Sequence, residues 1–324
     1  MKRFELLLGA AAGVLLASVL AQAQQKNPAP GADGEEGEAQ ALVTILPSHP
    51  NEQRPNVTQQ DIKMVKVSGK DSQVTAFRYM RGAQNPVELV LLIDADARTS
   101  LGTQMSDIQK FVQEMPPHTK MAIAYMINGV AQLATPLSSD PAEVLRGLHL
   151  TAGPAMVSAS PYFCLSDLAK HWPSNDRSAR REVVMISDGV DYYEMRYDPE
   201  DPYVHAAIDD SVRAGLTIYF LYWKTIGLSD QFAWAQDTGQ NLMLMVTQAT
   251  GGYSYWEGYG NPVDFGPYFE DIRRRLDNQY LISLTAPVND ARRFERLQLK
   301  LQVPNAKVDA PQEVFVRTAS EAMR

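Results

Sequence analysis

The sequence predicts an α/β fold: a doubly wound, mainly parallel Rossmann-like sheet with short flanking β segments. Continuous apolar runs at Leu89–Ile93, Val183–Ile186 and Leu216–Tyr222 have the length and composition of strands buried on both faces. Stripes at helical spacing lie between such runs, at Leu101, Met105, Ile108, Val112 and Met115, and again at Val204, Ile208 and Val212. Strand-like and helix-like segments alternate in this way across most of the chain, which is the pattern of a parallel sheet covered by helices.

Taken in order, the chain opens with Lys2 and Arg3, an apolar run from Leu6 to Leu20, and the small residues Ala21-Gln22-Ala23. That is the layout of a cleaved export signal over residues 1–23, and the run is shorter than the ~20 residues a membrane-spanning helix needs. Residues 24–56 are rich in Gln, Pro and Gly, carry an acidic cluster at Asp33, Glu35, Glu36 and Glu38, and read as a flexible linker. Within 57–84, Ile62–Val67 and Val74–Phe77 flank Ser68-Gly69-Lys70, the signature of a β-hairpin. The α/β domain is expected over 85–285. Its first helix stops at Pro116-Pro117, and a strand follows at Met121–Met126. A helix around Met243, Val246 and Ala249 ends at Gly251-Gly252, and a last stripe runs through Phe265, Phe269, Ile272 and Leu276. Alternation at Leu297, Leu299, Leu301 and Val303 then predicts a small β appendage and tail over 286–324.

The chain has 324 residues and a formal charge of −8, so it lacks the general attraction to phosphate that nonspecific nucleic-acid binding requires. A single cysteine, Cys164, excludes an intrachain disulfide, and its apolar setting beside Tyr162, Phe163 and Leu165 predicts a buried structural thiol. Catalytic templates are missing: there is no Gly-x-Ser-x-Gly elbow, no His-Glu-x-x-His and no phosphate-cradling loop with Lys. His49, His118, His149, His171 and His205 are scattered. The expectation is a protein that is not an enzyme.

In open parallel sheets, ligands bind beyond the carboxyl ends of the strands, where strand order reverses. Two strand ends carry acid there: Ile93-Asp94-Ala95-Asp96-Ala97-Arg98, and Ile186-Ser187-Asp188-Gly189. Carboxylates on adjacent loop tips are hard oxygen ligands of the kind Mg²⁺ or Ca²⁺ takes, and an aspartate in either place also serves as a helix cap or turn residue. The loop after Asp188 is rich in Tyr192, Tyr193, Tyr197 and Tyr203, rigid contact surfaces suited to a recognition rim or to packing on the domain.

These two loops, together with Ser160-Pro161-Tyr162 entering a helix, resemble the three ordered loops of the von Willebrand factor type A domain. The Ala249-Thr250-Gly251-Gly252 turn and the Tyr280-Leu281 strand are similar to those of its exported bacterial, VWFA-related branch. The resemblance implies a metal-ion-dependent adhesion site in which Asp94 and Asp188 match the family pattern directly and Ser160 takes the place of its Thr. Asp96 and Arg98 stand where the family has Ser, so the site is degenerate. Mg²⁺, with Ca²⁺ or Mn²⁺ as alternatives, would bind at Asp94, Asp96, Ser160 and Asp188, or Arg98 would replace the ion, since a guanidinium forks onto carboxylates and relieves their repulsion.

The implied function is an exported, noncatalytic protein-binding module, periplasmic or on the cell surface, with no membrane span once the signal is removed. It would dock another protein at the loop edge carrying Asp94, Asp96, Ser160 and Asp188, with Arg98, Tyr192, Tyr193 and Tyr197 contacting the partner. A structural envelope component without a ligand site is the alternative, and a periplasmic hydrolase using Ser187 or Ser160 a further one.

Overall fold

The structure, a computed structural model, describes residues 36–50, 52–152, 158–225, 232–288, 293–318 and 321. The expected export signal at 1–23 lies outside these residues, as does the expected linker up to residue 35. Four strands come first: β1 (Glu36–Pro47), β2 (Ile62–Val67), β3 (Lys70–Asp71) and β4 (Val74–Tyr79). An α/β layer follows with β5 (Val87–Asp94), α1 (Met105–Gln113), β6 (Thr119–Ile127), β7 (Val130–Leu133), α2 (Pro141–Leu145), α3 (Pro161–Lys170) and β8 (Arg180–Ser187). It continues through α4 (Pro202–Ala214), β9 (Leu216–Tyr222), α5 (Ala233–Thr250), β10 (Tyr253–Tyr255) and α6 (Gly266–Leu276). The chain closes with β11 (Gln279–Pro287), β12 (Phe294–Leu301), β13 (Ala306–Asp309) and β14 (Glu313–Phe315). Among the described residues no helix is long and apolar enough to cross a membrane.

The α/β layer is the mainly parallel, doubly wound sheet the sequence predicts, with strand order β10-β9-β8-β5-β6-β7 and only β7 antiparallel to its neighbour. All eight residues of β5 are buried, because side chains alternate across a strand whose two faces are both covered. Val90 and Leu92 pack with α3, α4 and α5, whereas Leu89, Leu91 and Ile93 pack with α1, α2 and α6. Local chemistry sets the helix ends. The Asp201 carboxylate accepts hydrogen bonds from the Tyr203 and Val204 amides ahead of Pro202, and α4 ends at Gly215 with φ 70°.

The strands outside this layer form a second body rather than a leader and an appendage. Two four-stranded sheets, β13-β1-β11-β4 and β14-β12-β2-β3, face each other over a core that includes Val43, Ile45, Val65, Val67, Ile282, Leu284 and Leu297. Three expectations change. The stretch 36–47, read as part of a linker, is a twelve-residue strand held between β11 and β13. Its inward residues begin with Gly37, Ala39 and Ala41, too small to register as hydrophobic, while Glu36 and Glu38 point outward. The hairpin read from Ile62–Val67 through Ser68-Gly69-Lys70 does turn there, but its second strand is β3 and not Val74–Phe77, because β4 pairs with β11 in the opposite sheet while β2 pairs with β3 and β12. Finally, β11, placed by sequence inside the domain at 85–285, belongs to the sandwich. Tyr79 pairs with Tyr280, so the α/β layer is an insertion between two adjacent strands of one sheet.

Candidate functional site

Strand β5 pairs with β6 on one side and with β8 on the other, and all three run parallel. The chain leaves β5 towards β6 and leaves β8 towards β9, so the loops after β5 and β8 part in opposite directions and open a crevice between them. Asp94 is the last residue of β5 and Asp188 follows the last residue of β8, which puts both at this switch point.

The site is a buried set of carboxylates collared by hydroxyls. The Ser187 hydroxyl donates to Asp94 at 2.6 Å, and the Asp96 amide donates to the other Asp94 oxygen at 2.9 Å. Asp96 accepts from both the amide (3.2 Å) and the hydroxyl (3.0 Å) of Ser158. Asp188 accepts from the Val190 amide at 3.0 Å, from the Thr225 hydroxyl, and from the Tyr192 hydroxyl at 3.4 Å. Asp94, Asp96 and Asp188 are all at most 1% exposed. Burial pushes the Asp94 carboxyl up to about 7, the nearby Asp188 and Asp96 charges add to this, and the Ser187 hydrogen bond opposes it. Burial likewise raises Tyr192, with the Asp188 charge as the second cause.

The backbone that holds these groups is tightly constrained. Gly239 of α5 lies against the Asp188 loop so closely that a Cβ there would stand 2.0 Å from the Asp188 carbonyl oxygen. Gly189 turns with φ +71°, and its carbonyl accepts the Tyr162 hydroxyl at 2.7 Å. Two residues that are not glycine hold positive φ beside the site, Arg98 at 47° and Ala159 at 64°, conformations that cost on the order of 1–3 kcal/mol each.

Of the residues singled out from sequence, Asp94, Asp96 and Asp188 come together. Ser160 is close by but has other work: it caps α3 by accepting from the Phe163 amide at 3.4 Å, beside Asp191, a fourth buried acid, whose pKa burial raises. Tyr192 reaches the carboxylates. Tyr193, 66% exposed, packs at the rim against Phe163 and Tyr203. Tyr197 turns away towards Met245 on α5. The expectation that Arg98 neutralises the acids is corrected: its guanidinium pairs with no carboxylate among the described residues, and one terminal nitrogen is buried without an acceptor. Arg98 itself sits at a kink in the 3-10 turns that follow β5, with φ 47° and ψ −143°.

The implied cation also fits poorly. The donor set is hard oxygen, but the carboxylates already accept from Ser187, Ser158, Thr225 and backbone amides. Among the described residues, no group of three or more Asp, Glu, His or Cys side chains is arranged to hold a metal ion. Sequence reading missed Ser158 and Thr225 altogether and saw Ser187 only as a nucleophile. Thr225 gives no local signal, since it is 37 residues from the acid it binds. Cys164 is fully buried, and burial raises its thiol pKa.

No protein family and no curated protein matches this sequence. Solved structures with a similar backbone include an aerotolerance-related membrane protein from Bacteroides fragilis, at 15% identity and a TM-score of 0.41, covering 59% of this chain and 98% of that one. BatB from Bacteroides thetaiotaomicron is similar at 11% identity and a TM-score of 0.40, covering 59% and 97%. The human COPII-coat protein Sec24c is similar at 8% identity and a TM-score of 0.38, covering 72% of this chain and 44% of that one.

Proposed function

We propose that this protein is an exported, noncatalytic protein-binding module of the von Willebrand factor A type, which docks its partner at the loop edge around Asp94, Asp96 and Asp188 without a bound cation. The observation that carries this reading is the convergence of three buried aspartates at the reversal of strand order, beside an arginine that none of them consumes. A hydroxyl collar from Ser158, Ser187 and Thr225 takes over the role the family gives to the ion, and Arg98 receives an acidic side chain of the partner. Positive φ at Arg98 and Ala159 supports the assignment, because strained backbone persists where the surroundings over-determine it and function uses it. The buried positions of Ser187 and Ser160 speak against their use as nucleophiles.

The test is proximity labelling from the tagged exported protein, comparing wild type with Arg98→Ser and Asp188→Ala. A labelled neighbour lost in both variants is the expected result. Labelling unchanged in both would leave a structural component with no ligand edge. Calorimetric titration with Mg²⁺, Mn²⁺ and Ca²⁺ is expected to give no heat, and a micromolar affinity for any of them would return the site to the metal-dependent form.

A further inference from the structure

The amino ends of the same strands face a second, chemically different site. A cavity of about 710 Å³ lies in the cleft between the α/β layer and the sandwich, within the size range of small-ligand pockets. Among the described residues, six arginines line it: Arg78, Arg177, Arg180, Arg181, Arg213 and Arg317. Only two acids, Glu313 and Glu321, join them, and Glu321 is bound by Arg293. In a chain with a net charge of −8, a local excess of four positive charges is not a compositional accident of a basic protein.

Three of these arginines have structural work. Arg180 is buried and donates to the Leu276 carbonyl at 2.7 Å and to Gln279. Arg181 donates to the carbonyls of Ser174 and Asp176 and lies over the Trp172 ring. Arg213 pairs with Asp210 and covers Phe294. Arg78, Arg177 and Arg317 have none: no described side chain or carbonyl accepts from their guanidinium groups. They arise from three separate places in the chain, on β4, in the loop before β8 and after β14, so their meeting is a product of the fold. Their like charges also act on one another's surroundings, since burial lowers the Arg181 pKa and the charges of Arg177 and Arg317 lower it further. Grouping cations without a counter-charge costs free energy unless an anion occupies the space between them.

We propose that this cleft binds a small multivalent oxyanion, an organic molecule or ion carrying several phosphate or carboxylate groups, with Arg78, Arg177 and Arg317 as its direct ligands. Planar guanidinium forks match both oxyanions bidentately, which explains arginine rather than lysine at every basic position of the wall. Leu42 and Leu281 supply an apolar patch of wall for the ligand's carbon skeleton. From Arg180 to Ser187, β8 spans roughly 23 Å at the usual rise per residue, so this site and the aspartate edge are separate.

The test is isothermal titration of the full chain with tripolyphosphate and, separately, with citrate, at low ionic strength. Saturable one-to-one binding of at least one probe is expected, and which probe binds more tightly separates phosphate from carboxylate recognition. Arg177→Gln combined with Arg317→Gln should weaken that binding at least tenfold, with an unchanged circular dichroism spectrum because both side chains are exposed. Arg146→Gln, an exposed arginine outside the cavity, should bind as wild type. No binding of either probe up to millimolar concentration, undiminished binding in the double variant, or an equal loss in the Arg146 variant would each overturn the assignment.

Discussion

Glu182 sits fully buried in β8, accepting from the Gln279 amide at 2.9 Å on one oxygen while the other has no partner. Burial raises its carboxyl to about 7, against 4.5 for the free side chain, and the Arg180 charge and the Gln279 hydrogen bond only partly oppose this. The folded state therefore holds a proton that the unfolded chain releases near pH 4.5, so the contribution of Glu182 to stability is fully present below that pH and is lost as pH rises through 7. A shift of this size corresponds to on the order of 3 kcal/mol, complete above pH 7. Replacing Glu182 with Gln should flatten that decline, leaving urea midpoints near wild type at pH 4.5 and above wild type at pH 8. A wild-type midpoint that does not fall between those pH values would show that Glu182 is compensated. At the other end of the sheet, Arg98→Ser restores the family's residue where the guanidinium now stands. Because the hydroxyl collar stays in place, the variant is expected to gain no more than weak, millimolar affinity for Mg²⁺ by calorimetry.

Helix α5 sets the position of the Asp188 loop, and it does so through one missing side chain. Since Gly239 abuts the Asp188 carbonyl, Gly239→Ala must push apart the helix and the loop, whose Asp188, Val190 and Asp191 are all buried. Overpacking of this kind costs about 1–3 kcal/mol. The variant should melt several degrees lower and lose the partner labelling expected of wild type, and a variant that melted and labelled like wild type would show that the loop is free to move. The α5 stripe at Met243, Val246 and Ala249 was legible in the sequence because its apolar face repeats at helical spacing. Its function as a spacer for the aspartate loop was not, because a glycine inside a helix carries no sign of what lies against it.

The molecule as a whole is one chain threaded through two bodies, with the α/β layer inserted between β4 and β11 and the sandwich assembled from both ends. Stability of the sandwich depends on β1, which fills the space between β13 and β11 and buries Val43, Ile45 and Leu46. Each such side chain contributes about 1.5–3 kcal/mol, against a typical total stability of 5–15 kcal/mol. A chain beginning at Ser48 should therefore be insoluble or should lose its cooperative thermal transition, whereas retention of a single sharp transition would mean the sandwich tolerates an open sheet. The same insertion builds the arginine cleft, whose walls come from β1, β4, β8, β9 and the segment after β14.

The sequence alone determined the α/β layer, since strands such as Leu216–Tyr222 and helices such as Pro202–Ala214 announce themselves through local periodicity and capping, which act between residues close in the chain. It also pointed to Asp94 and Asp188, because acids directly after buried strands end up at the carboxyl edge of a parallel sheet. Only the tertiary structure decided that Glu36–Pro47 is a strand, that Ser158 and Thr225 serve the aspartates, that Arg98 stands apart from them, and that Arg78, Arg177 and Arg317 meet. Apart from the position of Arg98, which a local positive φ sets, each of these depends on contacts between residues far apart in the chain, where register and loop closure fix the neighbours and no local pattern encodes them.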